Sequence, residues 1–370
     1  MSRSDSRPAT TLARGRTTAP PAYAVPALFP GIEEYAATAT RLHPRGGCPD
    51  PGGSHVGGPL RWPAGEPWPT CDADHVVATE VPIPAPLLRR LERLRAADPA
   101  RRWPGYQAVL AELASQGPGF VGISRRGGGS ALYQVSRPQP VPSPLVAVAQ
   151  LRAADVPDLR PPPGTPPGTD LLQVLWCPND HDIGGGSLAP AATLRWRREA
   201  EVTSVLGRPP APATVGHRAY LPRPCVLHPE QVVEYPWWQQ LPADLGQQVR
   251  CWDAEHDGRY HRQLAAAPGW KVGGWPQWPT TDPLPLYCTG CGDPMRQLLQ
   301  IDSGEWGDPG RWCPLQERPL LAGAGTEHGA AAYLAAAEPT GVIAGHTGLY
   351  RIFSCPSCPG GTGPLHIDLQ

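Results

Sequence analysis

The stretch TGLYRIFSCPSC at residues 347–358 has the same layout as TDLLQVLWCP at residues 169–178, a short apolar segment followed by Cys-Pro. A second match precedes this one. Val-Gly-Gly, followed after three residues by Trp-Pro, occurs at 56–63 and again at 272–279. Self-similarity of this kind indicates that one unit is present twice in the chain.

A third match lies between the other two, with LVAVAQL at 145–151 corresponding to RQLLQID at 296–302. Because the three matches are collinear, we interpret them as two diverged copies of one unit. The first copy holds about 66 more residues before its Gln, and the second holds about 28 more after its Gln. Each copy therefore carries an insertion in a different loop.

The repeated segments are short, apolar or alternating, and bounded by Pro or Gly, which is typical of strands. Strands with segregated helices, and no strict βαβ alternation, predict an α+β fold. We expect two pseudo-symmetric halves built on mainly antiparallel sheets, with a few covering helices and with zinc as a staple. A further strand is predicted at 225–235, and the helical patterns lie at 32–42, 87–97, 106–116, 241–267 and 328–337.

The organisation along the chain follows from the repeat and from local composition. Residues 1–21 are rich in Ser, Thr, Arg and Pro and are expected to form a disordered tail. The first half is predicted at 22–207, with a basic helical insertion at 85–137. The second half is predicted at 208–370 and contains a four-cysteine zinc site.

Four cysteines of the second half form two C-x-x-C pairs. Two thiolates separated by two residues can point at one ion, and four thiolates complete the closed tetrahedral set of structural zinc. The alternatives are four unrelated buried cysteines and a redox or disulfide role, of which the second lacks the βαβ context of a thioredoxin-like motif. The predicted ligands are Cys288, Cys291, Cys355 and Cys358.

The alignment of the two copies predicts a counterpart in the first half. Cys177 aligns with Cys355, and Cys71 lies close to the position of Cys288. Each of the first-half cysteines is followed at the fourth position by a histidine, which gives a second four-ligand set. A closed site has no open position for substrate, so both zinc ions would be structural. The predicted ligands are Cys71, His75, Cys177 and His181; the alternative is that the first copy has no metal.

Composition restricts the partners and the compartment. A formal net charge of −1 gives no global attraction to nucleic acid, and no apolar run is long enough to cross a bilayer. Residues 1–21 lack the apolar stretch of a signal peptide. We therefore expect a cytoplasmic protein without a membrane partner, in which reducing conditions favour metal ligands and free thiols.

Several short motifs resemble the YwqG-like family, a bacterial family of unknown function. They are VGGPLRWP at 56–63, VAVAQL at 146–151, DLLQVLW at 170–176, WKVGGWPQW at 270–278, LLQID at 298–302 and EWGDPGRW at 305–312. The resemblance implies a mixed α+β fold with internal pseudo-symmetry, and it carries over no catalytic residue. It also suggests an immunity or antitoxin-like role. The Cys and His sets depart from the family pattern, so the zinc sites are predicted from spacing alone.

The sequence contains none of the nucleophile or metalloprotease motifs that would identify an enzyme. The leading hypothesis is a zinc-stabilised protein that binds an unidentified protein or small ligand. The first alternative is an enzyme with a site in the groove between the halves. Asp302, Glu305 and Asp308 form a candidate carboxylate group, but a turn with solvated and capping side chains is the preferred interpretation. The second alternative is nucleic-acid binding through Arg89, Arg90, Arg93 and Arg95, which line a helix above a leucine stripe.

Overall fold

The computed structural model describes residues 16–97, 105–116, 119–123, 132–184, 186–307, 310–345, 348–359 and 364–370. It mixes helices with several antiparallel sheets, so the α+β class is confirmed. The α-helices are α1 (Val25–Leu28), α2 (Ala85–Ala97), α3 (Tyr106–Ala114), α4 (Ala243–Glu255), α5 (Arg318–Gly323) and α6 (Glu327–Ala337). Short 3₁₀ turns lie at Ile32–Tyr35, Glu199–Glu201, Arg218–Tyr220 and Trp238–Gln240, and a π turn lies at Tyr260–Leu264.

The strands carry most of the fold. In chain order they are β1 (Ala37–Arg41), β2 (Arg45–Gly46), β3 (His55–Val56), β4 (Thr70–Cys71), β5 (Val76–Pro82), β6 (Phe120–Ile123), β7 (Leu132–Pro138), β8 (Ser143–Pro144), β9 (Val146–Arg152), β10 (Leu171–Trp176), β11 (His181–Asp182), β12 (Leu188–Ala189), β13 (Ala192–Arg197), β14 (Cys225–Val226), β15 (Glu230–Glu234), β16 (Lys271–Gly273), β17 (Arg296–Asp302), β18 (Leu349–Ser354) and β19 (His366–Leu369).

Two six-stranded sheets form the centre of the molecule. The first has the order β2-β14-β3-β9-β10-β13, and the second has the order β15-β1-β16-β17-β18-β19. Strand β14 comes from the second half of the chain but lies in the sheet of the first half, and β1 is exchanged in the opposite direction. Each half therefore completes its sheet with a strand from the other half.

The two sheets also share a register. In each sheet, three buried polar side chains on three neighbouring strands lie directly beside one another and form a row. The first residue of each row is the one immediately before the Val of the Val-Gly-Gly motif. The exchanged strand places the buried Arg41 opposite Lys271 in the second sheet and the exposed Val226 opposite His55 in the first. The rows are His55, Gln150 and Gln173 in the first sheet, and Lys271, Gln300 and Arg351 in the second.

The main hydrophobic core lies between the two sheets. It takes apolar side chains from both, including Val148 and Leu172 from the first and Leu299 and Tyr350 from the second. Across the core, the rings of Trp176 and Tyr350 meet edge to face with centroids 5.7 Å apart, a favoured aromatic geometry. Burial of this shared face stabilises both halves together.

Two predicted helices are wrong in part. The segment 32–42 forms only the short turn Ile32–Tyr35 and then β1, because hydrogen bonding to strands on both sides outweighs its weak helical period. The predicted helix 241–267 ends at Glu255. Asp257 and Gly258 then adopt positive φ angles of 54° and 70°, which interrupts the helix before the π turn.

The insertion predicted at 85–137 is part of a larger unit, residues 76–138, which we call the insertion unit. Strands β5, β7 and β6 form its sheet, and helices α2 and α3 pack on it through a separate apolar cluster that includes Leu87, Leu91 and Leu113. Val76 pairs with Pro138, so the two ends of the unit are adjacent. Residues 98–104, 117–118 and 124–131 of the prediction lie outside the described residues.

The prediction of a disordered tail at residues 1–21 is wrong for residues 16–21, which contact the rest of the fold. Residues 1–15 lie outside the described part of the chain. Thr18 is buried, and its N–H and hydroxyl donate to the Glu230 carboxylate at 2.6 to 2.9 Å. Arg16 Nε donates to Glu317 Oε1 at 2.8 Å. These contacts attach Arg16–Pro21 to the second half of the chain.

Candidate metal centres and groove

The four second-half cysteines converge on one point. Their sulfur atoms all lie within 4.8 Å of one another. The Sγ atoms of Cys288 and Cys358 are 3.6 Å apart, and those of Cys291 and Cys355 are 3.4 Å apart. All four are free thiols, and these separations are far longer than a disulfide bond of about 2.05 Å. The cluster could hold one metal ion, as the sequence predicts.

The local backbone shapes this second-half cluster for a negative charge. The N–H groups of Ser357 and Cys358 both donate to Cys355 Sγ at 3.4 Å. The hydrogen bond from Ser357 is the main reason that the pKa of Cys355 falls to about 7. On the other arm, Gly290 N–H donates to Cys288 Sγ at 3.4 Å, and Gly292 closes the turn with φ of +81°. Both turns therefore direct backbone N–H groups at a sulfur atom, a contact that favours negative charge on that sulfur.

The four first-half ligands also converge, and their donor atoms lie within 4.8 Å of one another. His75 Nε2 lies 3.4 Å from the sulfur of Cys71 and 3.4 Å from that of Cys177. His181 Nε2 lies 3.7 Å from Cys71 Sγ. The residues that the copy alignment brings together thus form a second cluster that could hold a metal ion.

A buried polar chain orients the first-half cluster. Asn179 Nδ2 donates to Cys177 Sγ at 3.3 Å, and Gln139 Nε2 donates to Asn179 Oδ1 at 2.6 Å. Gln139 N–H also donates to the carbonyl of His75 at 2.9 Å. His75 and Gln139 lie immediately before and after the insertion unit. The cluster therefore sits at the base of that unit and ties it to the end of β10.

A groove lies between the two halves, beside the second-half cluster. Its cavity is about 780 Å³ in volume, within the usual range of ligand sites. The loop 284–287, which leads into Cys288, forms part of one wall, and Cys355 also lines the cavity. The lining includes Thr38, Asp158 and Arg160 from the first half and Trp275, Tyr287 and Arg296 from the second.

Carboxylates and histidines do not converge among the described residues that line the groove. Among the described residues that line it, Asp158 is the one carboxylate and histidine is absent. The Asp158 carboxylate accepts hydrogen bonds from the hydroxyls of Thr38 and Thr40 at 2.5 and 2.7 Å, and from Gln231. Its oxygens are thus engaged by the protein. An acid–base pair, which the enzyme alternative requires, is not formed by these lining residues.

The acidic group at 302–308 is not a solvated turn. Glu305 is buried; its Oε2 accepts from Arg45 Nη1 at 3.0 Å and lies 3.2 Å from His43 Nδ1. Burial alone would raise the pKa of Glu305, but the bond to His43 and the charges of His43, Arg45 and Arg41 hold it at about 2. Burial raises the pKa of Asp302 to about 6. Asp308 lies outside the described residues.

Glu305 belongs to a buried ionic cluster that sequence reasoning missed. Arg45 also pairs with Glu317, and His43 Nε2 lies 3.2 Å from Glu230. His43 and Arg45 belong to the first half, and the three carboxylates belong to the second. The cluster therefore joins the halves. Arg45 and Glu317 are 272 residues apart in the chain, so no local spacing could have indicated the cluster.

The arginine-rich helix α2 has an ordinary covering role in the described structure. Leu87 and Leu91 are buried in the core of the insertion unit. Arg89 and Arg90 are exposed, and Arg90 pairs with Glu112 of α3 at 3.0 Å. The leucine stripe thus explains the amphipathic pattern without a nucleic-acid partner.

The cysteines outside the two clusters divide by burial. Cys225 and Cys313 are buried, and burial raises the pKa of each thiol to about 11. Cys48 and Cys251 are exposed. Cys225 and Cys313 behave as small apolar side chains. A buried thiol is the default expectation for all four, and it is wrong for Cys48 and Cys251.

Neither protein-family models nor curated proteins give a match to this chain. The resemblance to the YwqG-like family therefore stays a prediction drawn from short motifs. No helix in the described part of the chain is long and apolar enough to cross a bilayer.

Proposed function

We propose that this protein is a zinc-stabilised binding protein, built from two duplicated halves, which binds a partner protein in the groove between them. The observation that carries the proposal is the groove itself. It is large, it is lined by both halves, and its described lining lacks converging acid–base groups. A site with these properties recognises a ligand and has no evident means to transform it.

Zinc is the metal that best fits the donor sets. A tetrahedral zinc ion with Zn–S bonds of about 2.3 Å holds two sulfurs about 3.8 Å apart, and a sulfur and a nitrogen about 3.6 Å apart. The sulfur–sulfur distances of 3.4 and 3.6 Å in the second-half cluster are close to the first value. The sulfur–nitrogen distances of 3.4 to 3.7 Å in the first-half cluster are close to the second. In both sets the protein would fill all four coordination positions, so each ion would stabilise the folded state and leave no position for a substrate.

The duplication hypothesis is supported by strand order and register. When the strands of each half are taken in chain order, β1, β2 and β3 of the first half correspond to β14, β15 and β16 of the second. With that correspondence, the two sheets have the same order of strands and each contains one exchanged strand. The polar rows that begin at His55 and Lys271 fall at equivalent positions. Gene duplication with later loop insertions accounts for all of these features.

The chemistry of the candidate ligands also bears on the compartment and the partner of this protein. Thiolate ligand sets favour a reducing compartment, for which the cytoplasm is our hypothesis. An immunity or antitoxin-like role, suggested by the YwqG resemblance, would be one form of partner binding.

Metal analysis tests the zinc part of the proposal. Purified full-length protein should contain about two zinc ions per chain, and Cys291→Ser or His181→Ala should each reduce this to about one. Each variant should also unfold at a lower temperature. Cys48→Ser, at an exposed cysteine outside both clusters, should retain about two ions. Protein without zinc would overturn this part of the proposal.

Site-specific photocrosslinking tests the groove. Leu284 lines the groove and Leu188 does not, yet both side chains are 57% exposed, which makes them a matched pair. A photoreactive residue at 284 in the native host should give a discrete protein adduct that the same residue at 188 does not give. Identical adduct patterns at the two positions, or none at 284, would contradict partner binding in the groove.

A further inference from the structure

A second cavity continues the groove. It has a volume of about 520 Å³, and it shares Pro162, Leu298, Ser354 and Cys355 with the first cavity. Its outer part is lined by residues of β13, among them Arg195 and Trp196. The two cavities therefore form one long trough, with the second-half metal cluster beside the junction at Cys355.

The trough carries uncompensated positive charge. Arg160 and Arg296 line the first cavity, and Arg195 lines the second. All three are exposed. Within the part of the chain that the structure describes, none of them forms an ion pair. Arg195 donates only to the neighbouring carbonyl of Leu194, at 3.2 Å.

The one negative charge among the described residues of the trough can offset only one of the three arginine charges, and its oxygens are held by neutral donors. Asp158 is the one carboxylate among the described residues of both linings, and its oxygens accept from Thr38, Thr40 and Gln231. The hydroxyl and amide donors therefore orient the Asp158 carboxylate. Among the described residues, it forms no ion pair with the three arginines. Three planar guanidinium groups, which pair with carboxylates through two parallel hydrogen bonds, remain available to a ligand.

The trough also offers apolar anchoring points. Leu284 and Tyr287, in the loop before Cys288, are 57% and 59% exposed. Trp196 is partly buried at the other end. Side chains of Tyr, Trp and Arg dominate the binding energy of protein interfaces. Large exposed apolar groups next to unpaired arginines indicate a ligand that carries both apolar and negative groups.

We infer that the trough binds an extended acidic peptide segment of a partner protein, with one or more apolar side chains seated between the arginines. This inference rests on the proposed function, because it names the ligand of the same groove. The separation of the arginines over two joined cavities favours a peptide over a small anion, which would engage one cavity alone. Carboxylates along the peptide would pair with Arg160, Arg296 and Arg195 in turn.

Selection from a random peptide library tests this inference. The probe is a display library of random 12-residue peptides, presented to the zinc-loaded full-length protein. Enriched peptides should be rich in Asp and Glu with at least one apolar residue. Arg160→Ala and Arg296→Ala should each weaken the binding of a selected peptide by at least about tenfold, because each removes charge-assisted hydrogen bonds. Rising salt should weaken it further.

Matched variants exclude a general effect of charge or folding. Arg208→Ala removes an exposed arginine outside both linings and should leave the affinity unchanged. Zinc content and unfolding temperature should be equal in all three arginine variants. The double variant Arg160→Glu, Arg296→Glu should lose acidic peptides and select basic ones.

The failure modes are distinguishable. Enrichment of neutral or basic peptides that lose affinity in Leu284→Ala would overturn the acidic ligand but keep the groove as a binding site. Acidic peptides that bind the arginine variants and Leu284→Ala equally well would remove the groove from the interaction. A selection without enriched peptides would also overturn the inference, whereas the photocrosslinking experiment would still judge the proposed function.

Discussion

Individual charged residues lie deep in this protein because each has specific partners. Lys271 is fully buried, and its Nζ donates to both oxygens of Glu234 at 2.7 and 2.8 Å and to the carbonyl of Trp275 at 2.7 Å. Glu234 also accepts from the N–H groups of Ala267 and Trp275. Removal of one partner from such a pair typically costs about 3–5 kcal/mol, since the other charge stays buried and unpaired.

His55 holds the position in the first sheet that Lys271 holds in the second. Its imidazole is neutral near pH 7 and needs no charged partner. It is fully buried, and its Nε2 lies 3.1 Å from the carbonyl of Pro59. Burial lowers its pKa to about 4, from an ordinary value of 6.5. Between pH 6.5 and 4 the unfolded chain therefore binds the extra proton, and the free energy of unfolding falls as the pH falls.

We predict that His55→Gln reduces the acid sensitivity of the fold. Glutamine can donate to the Pro59 carbonyl but does not titrate. Between pH 7 and pH 5, wild-type protein should lose about 2 kcal/mol more of its free energy of unfolding than the variant loses. Urea denaturation at the two pH values measures the difference. The metal ligands titrate equally in both proteins, so their contribution cancels, and equal losses would show that His55 is not the titrating group.

At the scale of elements, the two candidate metal clusters each bring a loop next to the end of a distant strand. In the second half, Cys288 and Cys291 fix the loop that forms a wall of the groove. In the first half, the cluster sits where the insertion unit leaves the main fold, and Cys71 lies on the two-stranded ribbon β4–β8 beside it. The insertion unit has a hydrophobic cluster of its own, so it adds to the fold without completing the main core.

We predict that the insertion unit can be removed. Residues 77–137 would be replaced by a short Gly-Ser linker, which is feasible because Val76 and Pro138 are paired neighbours. The two central sheets do not include this unit, so the shortened protein should unfold cooperatively and retain about two zinc ions. Circular dichroism and metal analysis check both results. An aggregated product, or the loss of one ion, would show that the unit supports the first-half cluster.

At the scale of the whole molecule, the halves are interleaved. Each central sheet includes one strand of the other half, and the ionic cluster around Glu305 also crosses the boundary. The hydrophobic core between the sheets contains side chains from both halves. Although the sequence divides the chain near residue 207, the two parts are expected to fold together as one cooperative unit.

We predict that neither half folds alone as a monomer. Fragments 1–207 and 208–370 would each lack a central strand and leave an unpaired edge and one face of the core exposed. Coexpressed fragments should instead associate one to one and unfold as a single cooperative species. Size-exclusion chromatography and thermal unfolding measure this outcome. A monomeric fragment with a cooperative transition of its own would contradict the interleaved core.

The sequence by itself determined the features that depend on short-range pattern. The alternating segments at 146–152 and 171–176 form strands, and the leucine spacing at 85–97 forms a helix. Both candidate metal clusters also follow from spacing, because C-x-x-C and C-x-x-x-H each place two ligands within reach of one ion.

Only the tertiary structure decided the long-range pairings. Three features depend on residues that are far apart in the chain. They are the exchange of β1 and β14, the ion pair of Arg45 with Glu317, and the arginines that line the trough. Local propensity even favoured a helix where β1 forms, and the acidic side chain of Glu305 suggested solvent where the fold buries it. The physical reason is that burial and pairing are properties of the assembled sheets, which outweigh the weak preferences of single segments.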